Sequence, residues 1–155
     1  MDAWHAGFKN ATEVTALVTL AKNNNYNAIY AEVRLRGDAY YFPTSPNLEP
    51  RASDIASDFD PLQELITQAH AEGIQVHAWL VTYLVYSGSG GSSNPDHVMN
   101  VHPEYLTENS AGSTLINDSY YLLDPGCPDA NQWNSNVVMD VVTNYNVDGV
   151  HFDYI

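Results

Sequence analysis

Three stretches of the chain, residues 10–25, 60–73 and 129–146, repeat apolar side chains every three or four positions. That period places the apolar side chains along one face of an α-helix. Asn10 and Glu13 are spaced as a capping box at the start of the first stretch, and Asp129 and Gln132 stand in the same way at the start of the third. The second stretch is the clearest, because Asp60 suits the N-cap of a helix and Pro61 suits its first residue. The pattern therefore predicts three amphipathic helices, each burying one face.

Shorter segments follow these helices at residues 27–34, 74–80 and 147–154. Apolar and polar residues alternate in them, as is typical of β-strands with two different faces. A further short strand is predicted ahead of the first helix, within residues 1–8. Alternating strands and helices indicate parallel strands joined by crossover helices, and therefore an α/β fold.

Each predicted strand has one apolar face and one face with polar groups. In the last strand, Val150 and Phe152 oppose His151 and Asp153. A doubly wound sheet covers both faces with helices, so its strands tend to be apolar throughout. A barrel gives the polar face an interior that opens onto an active site. The pattern therefore predicts a parallel (β/α) barrel of the TIM type, with about four β/α units in one domain, residues 1–155.

The predicted strand-to-helix connections are long, running from about residue 35 to 59 and from about residue 81 to 128. In parallel α/β proteins such loops gather at the C-terminal ends of the strands, where active sites lie. We therefore expect the polar face of the strands to form a pocket there, with Asp153 nearest its opening. The side chains expected to converge in it are Glu32, Arg34, His77, His151 and Asp153.

Structural interpretations also exist for some of these positions. Glu32 and Arg34 are spaced for an ion pair within one strand, and His77 is compatible with a core histidine bonded to a carbonyl. Asp153 is harder to explain in this way, because a carboxylate at the end of a buried strand is costly unless it is paired or used. Asp153 is therefore the strongest catalytic candidate.

The composition excludes several classes of partner. The chain has 19 acidic and 5 basic residues, a net charge of −14, which argues against nucleic acids and anionic membrane surfaces. No segment has the run of about 18 apolar residues that a membrane span needs. Residues 1–10 lack a signal-peptide pattern, so none is expected in this chain. With Cys127 as the single cysteine, no internal disulfide forms.

Several segments resemble the glycosyl-hydrolase-10-like family, formerly known as a domain of unknown function. The most specific are VRLRGDAYY at residues 33–41 and DGVHFDY at residues 148–154; AWHAGF, HPEYLT and LLDPGCPD also match, in family order. The resemblance implies a TIM-barrel glycoside hydrolase that acts on a polysaccharide. Some bacterial envelope members cut peptidoglycan glycan strands that have lost their peptides. The resemblance therefore implies a secreted or cell-envelope parent protein.

The resemblance also implies roles for individual residues. It places Asp153 where related barrel glycosidases keep a catalytic carboxylate. The residues it implies in the sugar-binding cleft are Arg34, Asp38, His77, Trp79, Asp124 and His151. Aromatic side chains stack on sugar rings, and the candidates for that contact are Trp79, Tyr40, Tyr41 and Tyr83. Arg34 is expected to orient a carboxylate of the protein or of a muramic-type substrate.

The chain is short for this family. A complete barrel needs eight strands and about 250 residues, so we expect the family's sequence to continue past Ile155. The second catalytic carboxylate is expected in the remaining half, which would leave this chain incomplete for catalysis. Half a barrel has open sheet edges, so the isolated chain is expected to self-associate.

Two other functions remain open. One is a metal-dependent barrel hydrolase or deacetylase, although no two histidines lie two apart on one predicted strand, and no cofactor is otherwise expected. The candidate ligands would be His5, His77, Asp124, His151 and Asp153, while His97 and His102 lack metal-site spacing. The other is a glycan-binding module without catalysis. Chelation tests the first alternative, and Asp153→Asn distinguishes the second from an enzyme.

Overall fold

The computed structural model describes residues 1–45 and 48–155. Its main sheet contains the strands β1 (Ala28–Leu35), β2 (Asp38–Ala39), β3 (Gln75–Val81) and β6 (Gly149–Asp153). Their order in the sheet is β2-β1-β3-β6. β3 lies between β1 and β6 and is parallel to both, whereas the short β2 is antiparallel to β1.

The three predicted helices are present as α1 (Ala11–Asn23), α2 (Pro61–Ala71) and α4 (Pro128–Asn144). The first two begin as the sequence predicts. Asn10 caps α1 by accepting the Glu13 N–H at 3.0 Å, and Asp60 caps α2 by accepting the Gln63 N–H at 3.1 Å. α4 begins two residues earlier than predicted, because its N-cap is Cys127 rather than Asp129, and Cys127 makes no side-chain capping bond.

The long connection after β3 contains structure that the sequence did not predict. β4 (Leu84–Ser87) and β5 (Tyr120–Leu122) pair antiparallel as a second, small sheet. A short α3 (Val98–Val101) and a 3₁₀ turn (Pro103–Tyr105) lie between them. These short elements depend on pairing between segments far apart in sequence, which local patterns do not reveal.

The predicted strand within residues 1–8 is not formed, because these residues make turns. Only Met1 pairs with β1: its carbonyl accepts the Glu32 N–H at 2.9 Å, and its amino group bonds to the Tyr30 carbonyl. The start of the chain therefore lies against the β1 edge, where the preceding strand of a barrel would lie.

The apolar face of the sheet packs against the helices, as the alternation predicts. Val14 of α1, Leu65 of α2 and Val137 of α4 are buried together with β-strand residues in one core. The residues that β1 and β3 contribute to this core are Ile29, Ala31, Val33, Val76, Ala78 and Leu80. Phe152 of the edge strand β6 is the exception, because 43% of it remains exposed.

A β-bulge interrupts the alternation in β1. Glu32 is in register with Trp79, but Arg34 is in register with Leu80, so Val33 is the extra residue. Leu80 belongs to the helix-facing core, whereas Trp79 lies on the opposite, polar face. The bulge therefore turns Arg34 away from the polar face of the sheet, on which the alternation predicted it.

Candidate active site at the C-terminal ends of the strands

The strand register arranges the polar side chains of the sheet in three rows, about 7 Å apart along the strands. We call this surface the inner face. From the N-terminal to the C-terminal ends of the strands, its rows are Tyr30, His77 and Gly149; then Glu32, Trp79 and His151; then Val81 and Asp153. Asp153 therefore lies in the row nearest the strand ends.

Two hydrogen bonds fix the Asp153 carboxylate. The indole N–H of Trp79 donates to Oδ2 at 3.2 Å, and the N–H of Tyr154 donates to Oδ1 at 2.8 Å. Each oxygen accepts one bond, so lone pairs remain for a substrate. The first bond links β3 to β6 and directs the carboxylate toward the inner face.

A second carboxyl group, Glu32, lies one row below Asp153 and is only 3% exposed. The N–H of Ala3 donates to its Oε2 at 2.7 Å. Burial raises the pKa of Glu32, the Ala3 bond opposes that effect, and the negative charges of Asp2 and Asp153 add to it. The alternation in β1 predicts this face for Glu32, but as the partner of Arg34 rather than as a separate carboxyl group below Asp153.

Arg34 does not face this site, which corrects two expectations. It is 1% exposed and pairs with Glu49, its Nε lying 2.7 and 2.8 Å from the two carboxylate oxygens. Its Nη1 donates to the carbonyls of Val81 and Thr82, both at 2.6 Å. The predicted ion pair between Arg34 and Glu32 is therefore wrong, and so is the prediction that Arg34 lies in the sugar-binding cleft. Arg34 instead supports the end of β3.

The two inner-face histidines lie below Asp153. His151 is one row down, with its ring edge-on to Trp79 at 6.1 Å between centroids. His77 is two rows down, about 13 Å along the strands, and stacks on Tyr30 at 4.7 Å. His77 therefore shares the inner face with Asp153 but not its immediate pocket, which corrects the expected convergence.

A cavity of about 340 Å³ lies beside the end of β1 and includes Asp38 and Tyr40 in its wall. Burial raises the pKa of Asp38 to about 7, and the charges of Glu49 and Asp54 contribute. Tyr40 is 5% exposed and Tyr41 is fully buried. Neither tyrosine offers an open ring face, so the expectation that they stack on sugars is wrong; Tyr40 contributes only to the cavity wall.

The profile of the family described as "Glycosyl hydrolase-like 10" matches residues 3–155. The chain belongs to this family. Glycosyl hydrolase DigH of Escherichia coli strain K12 is 32% identical over 97 residues, which cover 61% of this chain and 22% of that protein. The chain therefore spans less than a quarter of that relative's length.

Solved structures show the fold of this glycosyl hydrolase-like 10 chain. A hypothetical protein from Ruminiclostridium thermocellum superposes with a TM-score of 0.74 at 19% identity, over 99% of this chain and 74% of that one. Maltogenic α-amylase AmyB from Thermotoga neapolitana gives 0.62 at 15% identity, over 96% and 36%. The predicted TIM-barrel type is confirmed, and the described strands form an open part of such a barrel.

Two further predicted cleft residues of the glycosyl hydrolase-like 10 chain make local structural bonds. The Tyr83 hydroxyl donates to Asn131 of α4 at 2.8 Å, which holds this ring against the helix. Asp124 accepts the Gly126 N–H at 2.7 Å and so closes its own turn. Neither side chain hydrogen-bonds to an inner-face residue within the part of the chain that the structure describes.

The candidate metal ligands are dispersed. No three His, Cys, Asp or Glu side chains within residues 1–45 and 48–155 group closely enough to hold a metal ion. His5 pairs with Asp2 at 2.7 Å, and His102 stacks on Tyr105 at 4.4 Å. Across the same residues, each helix is too short or too polar to cross a membrane.

Proposed function

We propose that this chain forms one side of a glycoside hydrolase active site that acts on a polysaccharide, with Asp153 as a catalytic carboxylate. The observation that carries the proposal is the Trp79–Asp153 hydrogen bond, which holds a carboxylate on the inner face at the strand ends. Active sites of TIM barrels lie at this end of the strands. Membership in a glycosyl hydrolase-like family supports the reaction class.

The mechanism follows from the charge at the reacting sugar. Glycoside hydrolysis passes through an oxocarbenium-like transition state, which the negative Asp153 stabilises as nucleophile or as base. Glu32 is too deeply buried to reach a leaving group. Burial also favours the neutral form of Glu32. We therefore assign the acid that protonates the leaving oxygen to another residue.

The substrate proposed is a peptidoglycan glycan strand, and the site of action is the cell envelope or the medium. Sequence resemblance supports both. Two aromatic side chains near the strand ends support carbohydrate as the ligand class: Trp79 is partly exposed on the inner face, and Trp4 is 55% exposed beside the cavity. Indole rings stack well on the apolar faces of sugars.

The test is Asp153→Asn in the complete gene product, assayed by release of reducing ends from peptide-free peptidoglycan strands. The variant is expected to lose turnover by about a thousandfold or more, because the charge that stabilises the transition state is gone. Glycan affinity, measured by calorimetry, is expected to persist. Asp118→Asn, the same chemical change at an exposed loop residue, is the matched control and leaves turnover unchanged.

The alternatives give different results. Unchanged turnover in Asp153→Asn would refute the proposed role of this residue. Glycan binding without turnover in the complete wild-type protein would indicate a binding module. Loss of turnover after exhaustive chelation, restored by added metal, would indicate the metal-dependent class.

A further inference from the structure

An arginine with an unusual environment lies at the end of β1. The guanidinium carbon of Arg36 is 3.8 Å from the centre of the Trp4 ring, a cation–π contact. Both side chains line the cavity of about 340 Å³, together with Asp38, Tyr40 and Tyr86. This cavity opens beside the proposed active site but on the β1 side of it.

Arg36 makes no ion pair with an acidic side chain among residues 1–45 and 48–155, whereas most other cations of the chain do. Lys9, Lys22 and Arg34 pair with acidic side chains. Arg51 donates to backbone carbonyls at 2.7 to 3.2 Å. The Arg36 guanidinium has no hydrogen bond or ion pair within residues 1–45 and 48–155. The chain has 19 acidic and 5 basic residues, so acidic partners are plentiful. A guanidinium that lines a cavity without such a partner is therefore available to bind an anionic ligand.

Stacking prepares this guanidinium for an anion. The guanidinium carbon lies over the Trp4 ring, and the N–H donors of the group make no hydrogen bond to another described residue. Those donors match the two oxygens of a carboxylate. Burial lowers the pKa of Arg36, but an arginine side chain stays charged at neutral pH.

The backbone of Arg36 is fixed as well. Its φ is +53°, and Gly37 follows with a φ of +79°. The ring of His97 bonds to the Arg36 carbonyl through Nε2 at 2.8 Å, and because its Nδ1 accepts the Met99 N–H, the proton lies on Nε2. A Cβ at Gly37 would lie 2.7 Å from that nitrogen. A left-handed turn held this firmly is typical of functional positions.

The acids that line the cavity form no ion pair with Arg36, although the negative charge of the buried Glu32 acts on it. Asp54 is paired with Lys9 at 2.5 Å. Burial raises the pKa of Asp38 to about 7, so a large fraction of it is neutral at physiological pH. The cavity is therefore less negative than the composition of the chain suggests.

We propose that Arg36, held on Trp4, binds a carboxylate carried by the glycan, so that the cavity selects an acidic sugar. The inference rests on the proposed function and narrows its substrate class. The shared ligand chemistry is a sugar carboxylate, either on a lactyl ether, as in muramic acid, or on a uronic acid. Arg36 takes over the role that the sequence suggested for Arg34.

The test compares paired oligosaccharides by calorimetry with the complete gene product. One member carries free muramic carboxylates, and the other is the same oligosaccharide with those groups reduced to alcohols. Wild type is expected to bind the acidic member about tenfold or more tightly, as charge-assisted hydrogen bonds do. Arg36→Gln is expected to abolish this preference and to change affinity for the reduced member by less than about threefold.

Two further variants sharpen the result. Lys22→Gln removes one positive charge from an exposed pair with Glu72 and is expected to keep the full preference. Trp4→Leu removes the ring that holds the guanidinium and is expected to reduce the preference without abolishing it. Circular dichroism checks that each variant is folded. An oligogalacturonide tested in parallel shows whether a uronate also binds, and binding of either acid supports the proposal.

Other outcomes would overturn it. Two results would each show that Arg36 does not bind the carboxylate: wild-type protein binds the acidic and reduced oligosaccharides equally well, or Arg36→Gln keeps the full preference for the acidic one. Neither result would contradict the proposed hydrolase function. Binding of no glycan at all, with the chain folded, removes both the inference and glycan recognition by this chain.

Discussion

Trp79 donates its indole N–H to the carboxylate of Asp153 at 3.2 Å, across the boundary between β3 and β6. The donor lies one row below the acceptor on the inner face. The indole belongs to β3, which is paired on both sides, so it holds the Asp153 carboxylate of the edge strand β6 in one position. The bond also fixes the direction in which the Asp153 carboxylate faces a substrate.

Trp79→Phe keeps an aromatic ring and removes this hydrogen bond. Turnover is expected to fall about tenfold, since one hydrogen bond to a charged group is lost, while KM changes little. Steady-state kinetics of the complete gene product measures both. A large rise in KM at constant kcat would instead assign Trp79 to sugar stacking alone.

The buried Arg34–Glu49 pair is expected to stabilise the fold. Glu49→Gln leaves a guanidinium in the interior without its counter-charge, which costs about 3–5 kcal/mol in the free energy of unfolding. Urea denaturation measures this loss. Glu72→Gln breaks the exposed pair with Lys22 and is the control, with an expected cost below about 1 kcal/mol. Equal effects would contradict a structural role for Arg34.

Asp38 is expected to make stability depend on pH. Its folded-state pKa of about 7 lies above the unfolded value, so the folded state holds the proton more tightly. Ionisation therefore lowers the free energy of unfolding as the pH rises from the unfolded pKa through 7. Asp38→Asn removes this effect, so the variant gains stability relative to wild type between pH 5 and pH 8. Urea titrations at both pH values give the difference; a constant difference would show that Asp38 ionises normally.

Self-association of the isolated chain is also expected. Tyr30 and Tyr154 are exposed near the inner face, Phe152 is exposed on β6, and β6 is an edge strand. Open edges and exposed aromatic groups favour pairing between copies. Light scattering over a concentration series is expected to show oligomers at tens of micromolar. A monodisperse monomer throughout would contradict this expectation.

Local patterns were sufficient for the helices and the main sheet. The Asn10 and Asp60 caps, the helical period and the alternation in β3 and β6 predicted elements that the structure contains. These signals depend on neighbours within a few residues, and so a single sequence carries them. The alternation also placed Asp153 and Trp79 on one face.

Other features of the structure could not be predicted from the sequence. One extra residue at Val33 reverses the face of Arg34, and bulges have no reliable local signature. The partner of Arg34, Glu49, lies in a loop. The Trp4–Arg36 contact likewise joins segments that meet only in the folded chain. The sequence therefore did not predict the cavity that Trp4 and Arg36 line, although both residues belong to motifs that resemble the family.

Chemical rescue separates a catalytic carboxylate from a structural one. Asp153→Ala leaves space at the reacting sugar, and azide added to the complete gene product is expected to enter that space. If Asp153 acts on the sugar directly, azide restores turnover by about tenfold or more over the variant alone and appears in a glycosyl azide product. A folded, glycan-binding variant that azide does not rescue at any concentration would contradict a catalytic role for Asp153.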